Sequence, residues 1–154
     1  MNKIKALTFD TGGTILDWHS GFRDALKIVG DKYNYKRDWA SLANELRRRS
    51  LKSMLNLGEN EPPQYNFDDA HGFILEELIK ENNLTNFTKE DIQYIAYETV
   101  HNLKCWEDFP GTLPKLKKKL MVCSFTILSY RIIIDTARKN FLDWDAVFSC
   151  EGIK

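Results

Sequence analysis

Strand-like residues sit towards the two ends of this chain and helical periodicity fills the stretch between, an order that limits its folds more than any single motif. Residues 4–9, Ile-Lys-Ala-Leu-Thr-Phe, form a short β-rich run that stops at Asp10 and the turn-forming Thr11, Gly12, Gly13 and Thr14. From about residue 20 to about residue 103 the apolar residues recur at helical spacing. Trp39, Leu42, Ala43, Leu46, Ser50, Ser53 and Leu57 share one stripe of a helix of about five turns. A loop over residues 58–66, containing Pro62 and Pro63, separates it from a second helix marked by Ile74, Leu75, Leu78 and Ile79. Thr88 then stands three positions before Asp91, a hydroxyl and an acid in capping-box spacing. They precede a third helical run through Ile92, Ile95, Ala96, Thr99 and Leu103.

Beyond residues 106–111 the pattern changes back. Leu116 is expected to head a short basic helix, residues 120–125 read as a strand, 130–139 as a helix and 146–150 as a further strand. Strands and helices alternating through short connections describe a parallel sheet covered by helices. The expected class is therefore α/β, with a sheet core from residues 1–16 and 105–154 and a helical insertion over residues 17–104 after the first strand. Three parallel strands leave an edge that proteins usually continue or cover. The sheet is accordingly expected to be incomplete and the polypeptide C-terminally truncated.

Charge and composition exclude several classes of function. The 22 Lys and Arg balance 22 Asp and Glu, so a nucleic-acid partner is not expected. No apolar run approaches the roughly 20 residues of a membrane span, and the N-terminus enters the first strand without the apolar core of a signal peptide. No membrane partner and a cytoplasmic location are expected. Cys105, Cys123 and Cys150 are few and widely spaced, which suggests neither a disulfide framework nor a zinc site; each reads as a small core residue. His19, His71 and His101 are isolated, so no metal site is expected from them.

Ligands of open α/β sheets collect beyond the carboxyl ends of the strands. Asp10 and Thr126 end two of the strands. Two glycines after Asp10 let a ligand approach the backbone closely, so its carboxylate reads either as a nucleophile or as the cap of a turn. In the helical stretch, Arg47 lies at the margin of the apolar stripe, with Arg48 and Arg49 on a solvated basic face. Lys115, Lys117, Lys118 and Lys119 read as an ordinary surface helix. Trp18 and Phe22 suit a pocket wall or core packing equally.

The block from Leu7 to Trp18 resembles the first motif of the haloacid dehalogenase (HAD) superfamily, a strand delivering a nucleophilic Asp with a Thr four positions later; Asp10 and Thr14 match. Residues 122–129 resemble the second motif, a strand ending in Ser or Thr. Residues 141–151 resemble the segment that follows it in the 2-haloacid dehalogenase branch. The resemblance implies a Rossmann-like, HAD-like core with a helical cap, and hydrolysis of a small-molecule haloacid through an aspartyl ester. Asp10, Thr14, Arg47 and Thr126 would be its catalytic residues, and Arg47, Thr126, Ile127 and Trp18 would contact the substrate. Arg47 is carried over from the spacing to Met54 in a cap segment similar to the family's. Ser124 and Ser129 are alternatives to Thr126.

Position 12 departs from the phosphatase branches. Their second Asp, two residues after the nucleophile, serves as general acid and base, whereas this chain has Gly12. Halide leaves carbon without protonation and does not need that group. No cofactor is expected on this reading. The alternatives are a magnesium-dependent phosphatase or phosphonatase, for which Mg2+ would be required, and a non-catalytic protein of the same fold. The family's downstream lysine and acidic loop have no match up to Lys154, so the 154-residue chain alone is expected to be inactive or very weak. A homodimer is compatible with the resemblance, and nothing in these residues forces one.

Overall fold

The computed structural model describes residues 4–55 and 63–152. The described protein divides into two compact units, one made of Met1–Trp18 and His101–Lys154 and the other of His19–Val100. These boundaries fall within four residues of the 16/17 and 104/105 divisions read from the sequence.

The first unit is built on three parallel strands in the order β1 (Ala6–Phe9), β2 (Met121–Thr126), β3 (Ala146–Ser149). Ala6 lies opposite Met121, Phe9 opposite Ser124, Cys123 opposite Ala146 and Thr126 opposite Ser149. β2 is central, and Val122, Cys123, Ser124 and Thr126 are buried accordingly. Phe9 meets Phe109 edge to face at 5.4 Å between ring centres, and Phe109 lies 5.5 Å from Trp144. This aromatic cluster packs against the end of β1 on one side of the sheet. On the other side Met121, Phe125 and Phe148 remain about half exposed.

The helix before β2 differs from expectation. Helix α6 in sequence order runs over Asp108–Lys117, so Leu116 closes it rather than heading it. Pro110 falls in its first turn, where no amide partner is needed, and Pro114 is carried inside. Lys118 and Lys119 lie beyond its end. Lys117 is no free surface charge: it pairs with Asp143 at 2.6 Å and Asp145 at 3.1 Å. Helix α7 (Tyr130–Asn140) starts at the N-cap Ser129, whose hydroxyl accepts the Ile132 amide at 3.1 Å. It ends on Phe141 in the left-handed region at φ 56°. The three cysteines do not share one environment: Cys123 is buried, Cys105 is half-buried and Cys150 is exposed, just past the end of β3.

The second unit contains α1, which begins at the unit boundary (Trp18–Lys32), α2 (Trp39–Leu55), α3 (Phe67–Glu81), α4 (Lys89–Gln93) and α5 (Thr99–His101), the last ending at the return to the sheet. A π-helical turn, Tyr94–Glu98, joins α4 to α5, so the third periodic run is one interrupted helix. Leu57 and most of the 58–66 loop lie outside the described residues. Trp39, Leu42, Ala43, Leu46 and Ser50 are buried along α2, as the stripe predicts. Gly30 of α1 faces Trp39 so closely that a Cβ there would meet Cζ2 at 2.1 Å, which explains a glycine inside a helix.

Two capping boxes start the later helices, Asn66 with Asp69 and Thr88 with Asp91. Asp91 also accepts the Tyr33 hydroxyl at 2.7 Å and Lys32 Nζ at 3.0 Å, tying the end of α1 to the start of α4. Burial alone would raise the Asp91 carboxyl. The Thr88 amide, Tyr33 and Lys32 outweigh it and hold the group at about 2.

Candidate active site

At the carboxyl end of β1 the backbone turns sharply through Gly13, whose φ of 108° lies in the region that only glycine adopts without strain. The Ile15 and Leu16 amides both return to the Thr11 carbonyl, at 3.0 and 2.9 Å, and the Gly13 amide bonds the Leu16 carbonyl at 3.1 Å. This turn folds Thr14 back over the strand end, where its hydroxyl donates to Asp10 Oδ2 at 2.8 Å. Asp10 and Thr14 are both exposed. A carboxylate held through one oxygen presents the other to a ligand.

Phe9 pairs with Ser124, so β1 and β2 leave the sheet side by side and in the same direction, with Asp10 after one and Thr126 ending the other. Thr11, buried beneath the turn, lies 3.3 Å from the Ser124 hydroxyl and joins the two strand ends. Ser124 is thereby engaged in the sheet, and Ser129 is engaged as the cap of α7. Thr126 is buried, and its hydroxyl oxygen accepts the Leu128 amide at 3.2 Å. Ile127 lies half-buried in the bend between β2 and α7, three residues before the helix begins.

Trp18 stands against the turn. A Cβ added to Gly13 would meet its Nε1 at 3.0 Å. Phe22 is a core residue, packed edge to face on His71 at 5.1 Å. Trp106 is a contributor that sequence reasoning missed: its indole N–H donates to the Gly13 carbonyl at 3.0 Å and its backbone amide to the Ile15 carbonyl at 2.9 Å. No periodicity could have signalled a contact spanning 93 residues.

Arg47 belongs to the helical unit and is described there. It is buried rather than marginal, with its guanidinium 5.0 Å from the centre of the Phe67 ring. Arg48 is exposed and pairs with Glu45 at 2.7 Å. Arg49, expected on the solvated face, is three-quarters covered and bridges Glu45 and Glu81, at 2.7 Å to each. The two arginines hold the Glu45 carboxyl down at about 2.

Among the described residues, no three His, Cys, Asp or Glu side chains are grouped to hold a cation. At the Asp10 end, Gly12 brings no side-chain donor. No helix among the described residues is long and apolar enough to cross a membrane.

A parallel sheet with a carboxylate on its first strand end, followed by a helical unit before the second strand, defines a class of α/β fold, and solved structures share it. A defluorinating L-2-haloacid dehalogenase is similar over 97% of this protein and 61% of its own length, with 22% identity and a TM-score of 0.86. A second, the L-2-haloacid dehalogenase from Xanthobacter autotrophicus with chloropropionic acid covalently bound, matches over 98% and 58%, with 15% identity and a TM-score of 0.75. The HAD-hydrolase YfnB from Bacillus subtilis, bound to magnesium, matches over 97% and 66%, with 13% identity and a TM-score of 0.72. No protein-family model and no curated protein matches the sequence.

The protein therefore has the fold seen in L-2-haloacid dehalogenases. It spans about three-fifths of the length of the dehalogenases it matches.

Proposed function

We propose that these residues belong to a hydrolase that displaces halide from a small 2-haloacid through an ester on Asp10. The observation that carries the reading is the Asp10 carboxylate at a parallel strand end, held through Oδ2 by Thr14, with glycine two positions later. The likeness of fold to L-2-haloacid dehalogenases supports it, one of them carrying covalently bound chloropropionic acid.

In the first step the free Asp10 oxygen attacks the halogen-bearing carbon; a C–O bond forms, the C–X bond breaks and its electron pair leaves with the halide. In the second, water adds to the Asp10 carbonyl carbon and the ester C–O bond to that carbon breaks. A 2-hydroxy acid is released, and the proton passes to solvent. The carboxylate is restored, and no general acid at position 12 is needed.

Thr14 orients the nucleophile. Thr126 and Ile127 anchor the substrate, and Trp18 contributes to its contacts. The partner on this reading is a small-molecule haloacid, with no cofactor, and a homodimer is compatible with it.

The test is halide release from chloroacetate and 2-chloropropionate by the intact gene product, with and without chelator. Release that survives chelation and disappears in Asp10→Asn supports the reading. Magnesium-dependent phosphate release from phosphate esters, with no halide release, overturns it.

A further inference from the structure

We infer that Trp106 is a positioning residue for the nucleophile, acting through the turn that follows Asp10; the inference rests on the role proposed for Asp10. The residues that carry it all lie in the sheet unit. The segment returning to the sheet is anchored from α7, where the Asn140 amide group donates to the Leu103 carbonyl at 2.8 Å and accepts the Cys105 amide at 2.9 Å. Cys105 pairs antiparallel with Leu16, and the Asp17 amide bonds the Lys104 carbonyl at 2.8 Å. Trp106 comes next and makes two bonds to the turn, to Ile15 through its backbone and to Gly13 through its indole.

The Gly13 carbonyl is thus held by one indole while a second, Trp18, closes the space where a Cβ would stand. Gly13 precedes Thr14, so the peptide fixed by Trp106 is the one that aims the hydroxyl bonded to Asp10. Trp106 remains 45% exposed, so burial of its ring is not what the position secures. Its directed N–H secures the turn.

The test replaces Trp106 with benzothienylalanine, which keeps the bicyclic shape and exchanges the N–H for sulfur, and separately makes Trp106→Phe. Loss of one hydrogen bond to an aimed carbonyl is expected to lower kcat for haloacid turnover about three- to tenfold. KM and the melting temperature should stay near those of the unmodified protein. Unchanged kcat overturns the inference, as does a fall in kcat matched by loss of folded protein.

Amide exchange of Gly13, Ile15 and Leu16 is the second readout and needs no turnover. Faster exchange of these three amides than of β2 in the variant supports the clamp, and unchanged protection overturns it. If the unmodified protein releases no halide, the reading of Asp10 fails while this readout still decides on Trp106.

Discussion

Asp10 carries the chemistry on this account, and its surroundings make single-residue predictions sharp. Asp10→Asn keeps the size of the side chain and replaces the carboxylate nucleophile with a neutral amide, so halide release is expected to fall by roughly 10^3-fold or more. Circular dichroism of the variant should be unchanged, because Asp10 is exposed at the strand end. Thr14→Val removes the hydroxyl that donates to Asp10 Oδ2 and keeps the branched shape. A drop in kcat of about tenfold is expected, with Thr14→Ser close to the parent. Equal rates for Val and Ser at this position would show that the bond does not orient the carboxylate.

At the scale of elements, the helical unit depends on close packing at Gly30 and on the carboxylate Asp91. Gly30→Ala would ordinarily favour a helix by up to about 1 kcal/mol. Here the added methyl collides with the Trp39 ring, and a net loss of about 1–2 kcal/mol is expected in denaturant unfolding. In a Trp39→Leu background the same substitution should cost nothing or stabilise, since the collision is gone. Equal effects in both backgrounds would contradict the packing argument.

Asp91 binds its proton less tightly when folded than when unfolded, with its folded value near 2 against an ordinary carboxylate near 4. Its contribution is therefore complete above about pH 4 and is lost as the pH falls towards 2. Glu45, held at about 2 by Arg48 and Arg49, adds a loss of the same sign in the same window. Asp91→Asn should destabilise by about 1–2 kcal/mol at neutral pH and flatten the decline of stability with acid; an undiminished decline would exclude Asp91 as its source.

At the scale of the whole molecule, the parts legible in sequence were those set by local rules. The strand end at Phe9, the N-cap of α4 at Thr88 and the apolar stripe of α2 all follow from propensity, capping chemistry and periodicity, whereas the last strand stops at Ser149, one residue short of the expected 146–150. The start of α6 was hidden because Pro110 and Gly111 have low helix propensity, although proline suits a first helical turn. Arg47 was placed at a margin because charge usually marks solvent; the Phe67 ring that covers it is twenty residues away in the sequence. The site was legible to the same degree. Asp10 and Thr14 are local partners four residues apart, whereas Trp106, Thr11 with Ser124, and the Leu128 amide on Thr126 depend on packing that no motif records.

The central claim is that a covalent bond forms between Asp10 and substrate, and a single turnover in heavy-oxygen water, with enzyme in excess over 2-chloropropionate, tests it most directly. The account predicts that mass spectrometry finds the solvent oxygen in the peptide containing Asp10, while the hydroxyl of the product carries ordinary oxygen from the carboxylate. Heavy oxygen in the first-turnover product, with the Asp10 peptide unlabelled, would contradict it and place water on the substrate carbon itself.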